Sequence, residues 1–272
     1  MASPRVAAAA FRRRHGFGTG PIRDIAQVIE EFHGAWVMQM KLPTGLEART
    51  LHDPERQHTL VCVATSDNPE RQRFTLAHEL GHLEAGSLST EVHNDEQANS
   101  RPEERWANNF ARDLLVPVDG VRALLSDNDH HDTARMLSEV VRTFAVSPSA
   151  ALIQLNNADI ITRLEQARLT DLWTSKSLAA RFGWRSERDP AVRAAMSERS
   201  PAALVEATTT GYLTGRRSLE ELAHVAGERD LAAFRSELES DGLVPPVVQK
   251  EDESNTAAWA PEDFSDLRGP QP

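Results

Sequence analysis

The chain has 272 residues, 40% of them hydrophobic and 26% charged, with a formal charge of −11. This is the composition of a globular protein with room for a real core, and no apolar run approaches the length of a membrane span. Residues 1–20 are basic and residues 250–272 acidic, and the two ends offset, so the body between them also carries about −11 and is a poor electrostatic match for nucleic-acid phosphates.

Cys62 is the only cysteine, which rules out an internal disulfide and a cysteine-rich zinc module and fits a reducing, cytoplasmic setting. Only three of the 30 basic residues are lysines, and with the abundant Ala and Arg this points to a GC-rich bacterial genome.

Residues 1–20 show no periodicity and read as a disordered basic arm ending in Gly16-Phe-Gly-Thr-Gly20. Pro21 suits the first position of a helix running to His33, with Gly34 closing it. Short strands are expected next, over residues 36–42, 45–51 and 58–64. The last, His58-Thr-Leu-Val-Cys-Val-Ala64, is apolar enough to be buried on both faces. About three strands form a sheet too small to stand without a packed helix.

That helix is expected from Pro69 to Gly86, with Asn68 among the N-cap candidates. It carries His78-Glu79-Leu-Gly-His82, the H-E-x-x-H pattern. On a helix, His78 and His82 lie one turn apart on one face and can aim ring nitrogens at a single ion. Glu79, beside the first ligand, is placed to act as general base toward a water. Gly81 costs about 1 kcal/mol relative to Ala inside a helix, which makes sense if another element approaches closely there.

Residues 87–100 read as a polar loop containing His93. A second clear helix opens at Pro102 and ends at Val116-Pro117, with acids in its first turn. A catalytic zinc site takes three protein ligands, so the third is expected from this acidic start. Glu103 and Glu104 both qualify, and helical angle slightly favours Glu103. Asn108, one turn after Glu104, can hold a ligand histidine from behind.

Residues 133–156 have a helix–turn–helix outline. The second helix, Ser149–Asn156, contains no Arg or Lys, so packing explains it better than DNA reading. Beyond it, residues 163–199 are helix-prone, and two further amphipathic helices are expected at 201–213 and 219–238. An acidic, disordered tail follows from 246 to 272.

Two segments together carry a resemblance. Arg71-Gln-Arg-Phe-Thr-Leu-Ala-His-Glu-Leu-Gly-His82, followed by Glu104-Arg-Trp-Ala-Asn-Asn-Phe-Ala-Arg-Asp-Leu-Leu-Val-Pro117, resembles the ImmA/IrrE family of bacterial zinc metallopeptidases over roughly residues 21–165. The resemblance implies an α+β, mostly helical, zincin-like core with a small sheet packed on the H-E-x-x-H helix. It implies Zn2+ held by His78, His82 and Glu104, with Glu79 as the catalytic base. Trp106 departs from the pattern, since members often carry an acid there. Many members also bear a preceding helix-turn-helix DNA-binding domain, and the twenty or so residues ahead of the first expected helix leave no room for one.

The implied activity is a cytoplasmic endopeptidase that cleaves a helix-turn-helix repressor and so relieves repression of a mobile-element or stress regulon. A non-proteolytic regulator that binds the repressor through the zinc fold is the alternative, and a DNA-binding regulator a weaker one. The expected domains are the arm at 1–20, a metallopeptidase domain at 21–165, a helical accessory region at 166–245 and the tail. Neither nucleic acid nor membrane is expected as a direct partner, and the sequence leaves the oligomeric state open. His93, His130 and His131 are candidate second oxyanion donors by residue type, although a solvated loop histidine is the commoner reading.

Overall fold

A computed structural model describes residues 2–87, 101–126 and 132–245. His93, His130, His131 and the acidic tail lie outside the described residues.

The first element corrects the sequence reading. Residues 4–14 are not a loose arm but a helix, α1 (Pro4–Arg14). Ser3 caps it, Pro4 occupies its first turn, the Ala run suits a helix interior, and Arg12–Arg14 complement the dipole at its end. Phe11 is fully buried, with its ring against Phe17, Phe32, His33 and Phe110. Arg12 is buried too, donating to the carbonyls of Gly18, Gly20 and Leu114. Three helical turns are too few for periodicity to announce them, and charges that look like solvated arm residues here hold backbone oxygens. Phe11→Ala is expected to cost about 3–5 kcal/mol in urea unfolding, whereas a detached arm would give no change.

Helix α2 (Ile25–His33) starts later than expected, at the Asp24 cap, and ends at Gly34 in the left-handed conformation. Strands β1 (Trp36–Met40), β2 (Ala48–Asp53) and β3 (His58–Ala64) form one sheet in the order β1-β3-β2. β1 runs parallel to the central β3 and β2 runs antiparallel to it, with Thr50 opposite Val61. β2 is therefore an edge strand beside the next helix, α3 (Pro69–Ala85), which Asn68 caps and Gly86 closes as expected.

Helix α4 (Pro102–Leu115) packs along α3, and α1 covers α4 from the other side. Leu80, Phe110, Ala111, Leu114 and Leu115 fill the seam at 0–1% exposure. Trp106 stacks on Phe110 and donates its indole N–H to the Ala2 carbonyl at 3.0 Å, so the residue that departs from the family pattern fastens α1. Arg73, on α3, donates to the carbonyls of Ile22, Arg23 and Ala145, tying two connections to the helix.

Helices α5 (Val118–Leu125), α6 (Thr133–Phe144) and α7 (Pro148–Asn157) complete this layer. α7 buries Ala150, Ala151, Leu152, Gln154 and Leu155, so the second helix of the helix–turn–helix outline faces the core. Among the described residues no single helix is long and apolar enough to cross a membrane. Only α6 and α7 together pass that test, as a pair bent by 110°.

The remaining helices are α8 (Arg163–Leu169), α9 (Ser175–Phe182), α10 (Arg185–Met196), α11 (Ala202–Leu213), α12 (Leu219–Ala226) and α13 (Leu231–Ser240). The helix expected over 219–238 is two, because Gly227 takes a left-handed conformation between them. The main core does not stop near 165 but takes in Leu178, Ala179 and Trp184. Beyond it, Arg188 forms a two-pronged ion pair with Glu70 at the start of α3, at 2.7 and 2.9 Å. Gln39 on β1 pairs its backbone with Arg199. A separate small cluster of Tyr212, Leu219, Leu222 and Leu238 holds the last three helices together.

Candidate metal centre

α3 and α4 supply the site. His78 and His82 project from one face of α3, and their Nε2 atoms lie 3.0 Å apart. Glu104, in the first turn of α4, places one carboxylate oxygen 3.0 Å from His78 Nε2 and the other 3.3 Å from His82 Nε2. Among the described residues these three form the one His/Cys/Asp/Glu group whose ligand atoms converge for an ion.

Glu104 is the third member and Glu103 is not. Glu104 keeps only 14% of its side chain exposed, whereas Glu103 is an exposed residue. The angular argument for Glu103 fails because the centre of α4's apolar stripe, Ala107, Phe110 and Ala111, is consumed by helix packing. The His pair sits at the edge of that stripe, where Glu104 lies.

Gly81 is what permits the approach. A Cβ there would stand 3.2 Å from the Ala107 backbone Cα and 3.2 Å from the Phe110 ring. The two helices touch backbone to helix at the residue between the histidines, and that closeness lets Glu104 reach both rings.

Supporting hydrogen bonds orient the imidazoles. His78 Nδ1–H donates to the Asn108 Oδ1 at 3.0 Å, as the one-turn offset from Glu104 led us to expect. His82 Nδ1 pairs with the Ser87 hydroxyl at 3.2 Å. The Ser87 contact has no sequence signature, because it depends on the chain doubling back after the Gly86 cap. The Nε2 atoms of both rings therefore face the Glu104 carboxylate.

The donor set fits a cation. The two ring nitrogens stand 3.0 Å apart, and one Glu104 oxygen lies 3.0 Å from the first and the other 3.3 Å from the second, spacings close to the ~3.3–3.4 Å edge of a tetrahedron with ~2.0–2.1 Å bonds. The same electrostatics act on protons. Burial opposes a charge on His78, but the hydrogen bond and charge of Glu104, together with Glu79 and Asn108, outweigh it, so its pKa is raised. Burial and the neighbouring His78 hold His82 below its ordinary value.

Glu79, whose charge acts on both histidines, also reaches the sheet. Its Oε2 accepts a 2.5 Å hydrogen bond from the Thr50 hydroxyl on β2. Thr50 was invisible to sequence reading, since β2 is a weak strand with few apolar residues, and only the sheet register sets Thr50 over α3.

With this geometry in hand, comparison with known proteins is informative. Residues 30–156 match the profile of the IrrE N-terminal-like domain, Peptidase_M78. That stretch, just under half of the chain, is similar to the family that the paired motifs resemble.

The IrrE-like domain runs from α2 to α7 and contains the sheet, both histidines, Glu79 and Glu104. The radiation response metalloprotease IrrE of Deinococcus deserti is 34% identical over 160 residues, covering 55% of this chain and 54% of that protein. IrrE of Deinococcus radiodurans is 36% identical over 109 residues, covering 38% and 32%. The chain thus spans about half the length of the first relative and a third of the second. A Mycobacterium tuberculosis transcriptional regulator aligns over 56% of this chain and 46% of its own at 19% identity and a TM-score of 0.40, too distant a likeness to bear on the fold.

Proposed function

We propose that this protein is a zinc-dependent endopeptidase whose ligands are His78, His82 and Glu104 and whose general base is Glu79. The single observation that carries the reading is the convergence of three lone-pair donors one residue away from a carboxylate that is itself held in place. That the Deinococcus relatives are metalloproteases supports it. Two imidazoles and a carboxylate, with no thiol, suit zinc with a position left open for chemistry. When bound, zinc supplies acidification of a water and polarisation of the scissile carbonyl.

The rest falls to the chain. Glu79 takes the proton from the attacking water and delivers it to the departing amine nitrogen. The Thr50 hydroxyl donates to the far oxygen of Glu79, so the carboxylate is aimed before substrate arrives. Asn108 and Ser87 lock the ligand rings. The outer side of β2 offers backbone donors and acceptors along which an extended substrate lies as an added strand. Thr50→Val removes the donor but keeps the shape. It is expected to lower kcat about tenfold with zinc content unchanged, as steady-state assays and metal analysis will read.

The substrate we propose is a helix-turn-helix transcriptional repressor, cleaved in the cytoplasm to relieve repression, as the family resemblance implies. The acidic body and the buried, cation-free face of α7 favour a protein substrate over direct nucleic-acid binding. The test is to incubate the purified protein, with Zn2+ and with a chelator, with a helix-turn-helix repressor encoded beside it. Zinc-dependent fragments support the reading. A stable complex without fragments would instead favour a regulator that acts by binding.

A further inference from the structure

One pocket continues the line of the metal centre and has no assigned role. It measures about 360 Å³ and lies where α3, α4 and the start of α7 meet, lined by Arg71, Phe74, Arg112, Ser147, Ser149 and Ile153 among others. Phe74 is one turn before His78 on α3, and Arg112 is one turn past Asn108, which holds His78. Arg112 is likewise two turns past the ligand Glu104, and Phe74 two turns before the ligand His82, so the pocket lies along the same helix pair about two helical turns, ~11–12 Å, from the metal centre.

Its lining is cationic. No acid is among its lining residues, in a chain whose formal charge is −11. Arg71 pairs with Glu47 across the neighbouring cleft and stays largely exposed. Arg112 is half-buried and makes no salt bridge among the described residues. Its guanidinium donates to the Asn109 side-chain oxygen at 2.8 Å. Burial pulls its pKa below the usual guanidinium value, and the charge of the adjacent Asp113 offsets this only in part. Phe74 and Ile153 give the pocket an apolar wall, and the hydroxyls of Ser147 and Ser149 stand at its rim.

We propose that this pocket is a specificity subsite that receives an acidic side chain of the substrate, three or four residues from the scissile bond. Three to four residues of extended chain span ~10–13 Å, which matches the two-turn offset. A carboxylate entering there meets the planar donor fork of Arg112, with Arg71 behind it, and supplies the direct ion-pair partner that Arg112 does not have among the described residues. A basic side chain at the same position is repelled. The subsite rests on the endopeptidase reading for its meaning but not for its detection.

The experiment has two arms. In the first, zinc-loaded Glu79→Gln protein is applied to an array of short peptides that differ only in carrying Asp or Glu, Ala, or Lys at a scanned position. Preferential capture of acidic peptides is expected, at least about tenfold over the Lys series, and is lost when Arg112→Glu is added. Arg112→Lys retains the preference in weaker form, and its melting temperature serves as the folding control. Equal capture of all three series, or a preference that survives Arg112→Glu, overturns the subsite whether or not any bond is cut. In the second arm, the wild type digests a proteome-derived peptide library. Acid enrichment three or four residues from the cut, reversed toward Lys and Arg by Arg112→Glu, supports the proposal. Cleavage without such enrichment overturns the subsite and leaves the endopeptidase standing. Acid-selective capture without any cleavage supports the subsite and counts against the endopeptidase.

Discussion

Glu79→Gln is expected to keep its zinc and lose about 10²–10⁴-fold in kcat. The amide matches the carboxylate in size and still offers an oxygen to the Thr50 hydroxyl, so the groove keeps its shape. None of the three ligand atoms belongs to residue 79, so the metal stays. What the amide lacks is the basicity to take a proton from water and return it to the leaving nitrogen. Metal analysis and single-turnover cleavage of the same preparation separate the two properties. Wild-type turnover with the Gln variant would remove Glu79 from the mechanism.

His82→Ala is expected to abolish stoichiometric zinc binding. It leaves His78 and Glu104, two donors where a catalytic site uses three. The readout need not be activity. A ligand that binds only the folded state stabilises it by about 4 kcal/mol when present at a thousand times its Kd. The wild type should therefore melt higher in Zn2+ than in chelator, while His82→Ala melts at one temperature in both. Asn108→Ala removes the partner of His78 Nδ1 and keeps all three donors, and a loss of about 10–100-fold in affinity is the expected scale. A zinc-dependent rise in melting temperature undiminished in His82→Ala would mean that the ion sits elsewhere.

How far the sequence alone leads depends on what kind of physics places each residue. α3 was legible in full, because its caps, its proline and its closing glycine are local signals, and the His spacing is a property of one helix. The close approach at Gly81 was legible as a cost needing a reason, and Ala107 and Phe110 supply it. Glu104 was half legible. Its helix was clear, but choosing between adjacent acids required knowing that the stripe's centre packs on α3 and only its edge meets the histidines. Thr50 and Ser87 were not legible at all, since a strand register and a doubled-back turn are long-range outcomes. α1 was missed for a different reason. Eleven residues with Arg at the end look like a solvated arm until Phe11 finds a pocket lined by residues of two other helices, α2 and α4. The pocket at Arg112 was likewise beyond reach, because it joins three segments far apart in the chain.

The most direct test of the central claim is a search for new peptide N-termini by mass spectrometry. Wild-type and Glu79→Gln proteins, both zinc-loaded, are each incubated with the same bacterial lysate, with and without chelator. The account predicts new termini with the wild type alone, absent in chelator and absent with Glu79→Gln. Termini produced equally by both proteins, or undiminished by the chelator, would contradict a zinc peptidase built on His78, His82, Glu104 and Glu79.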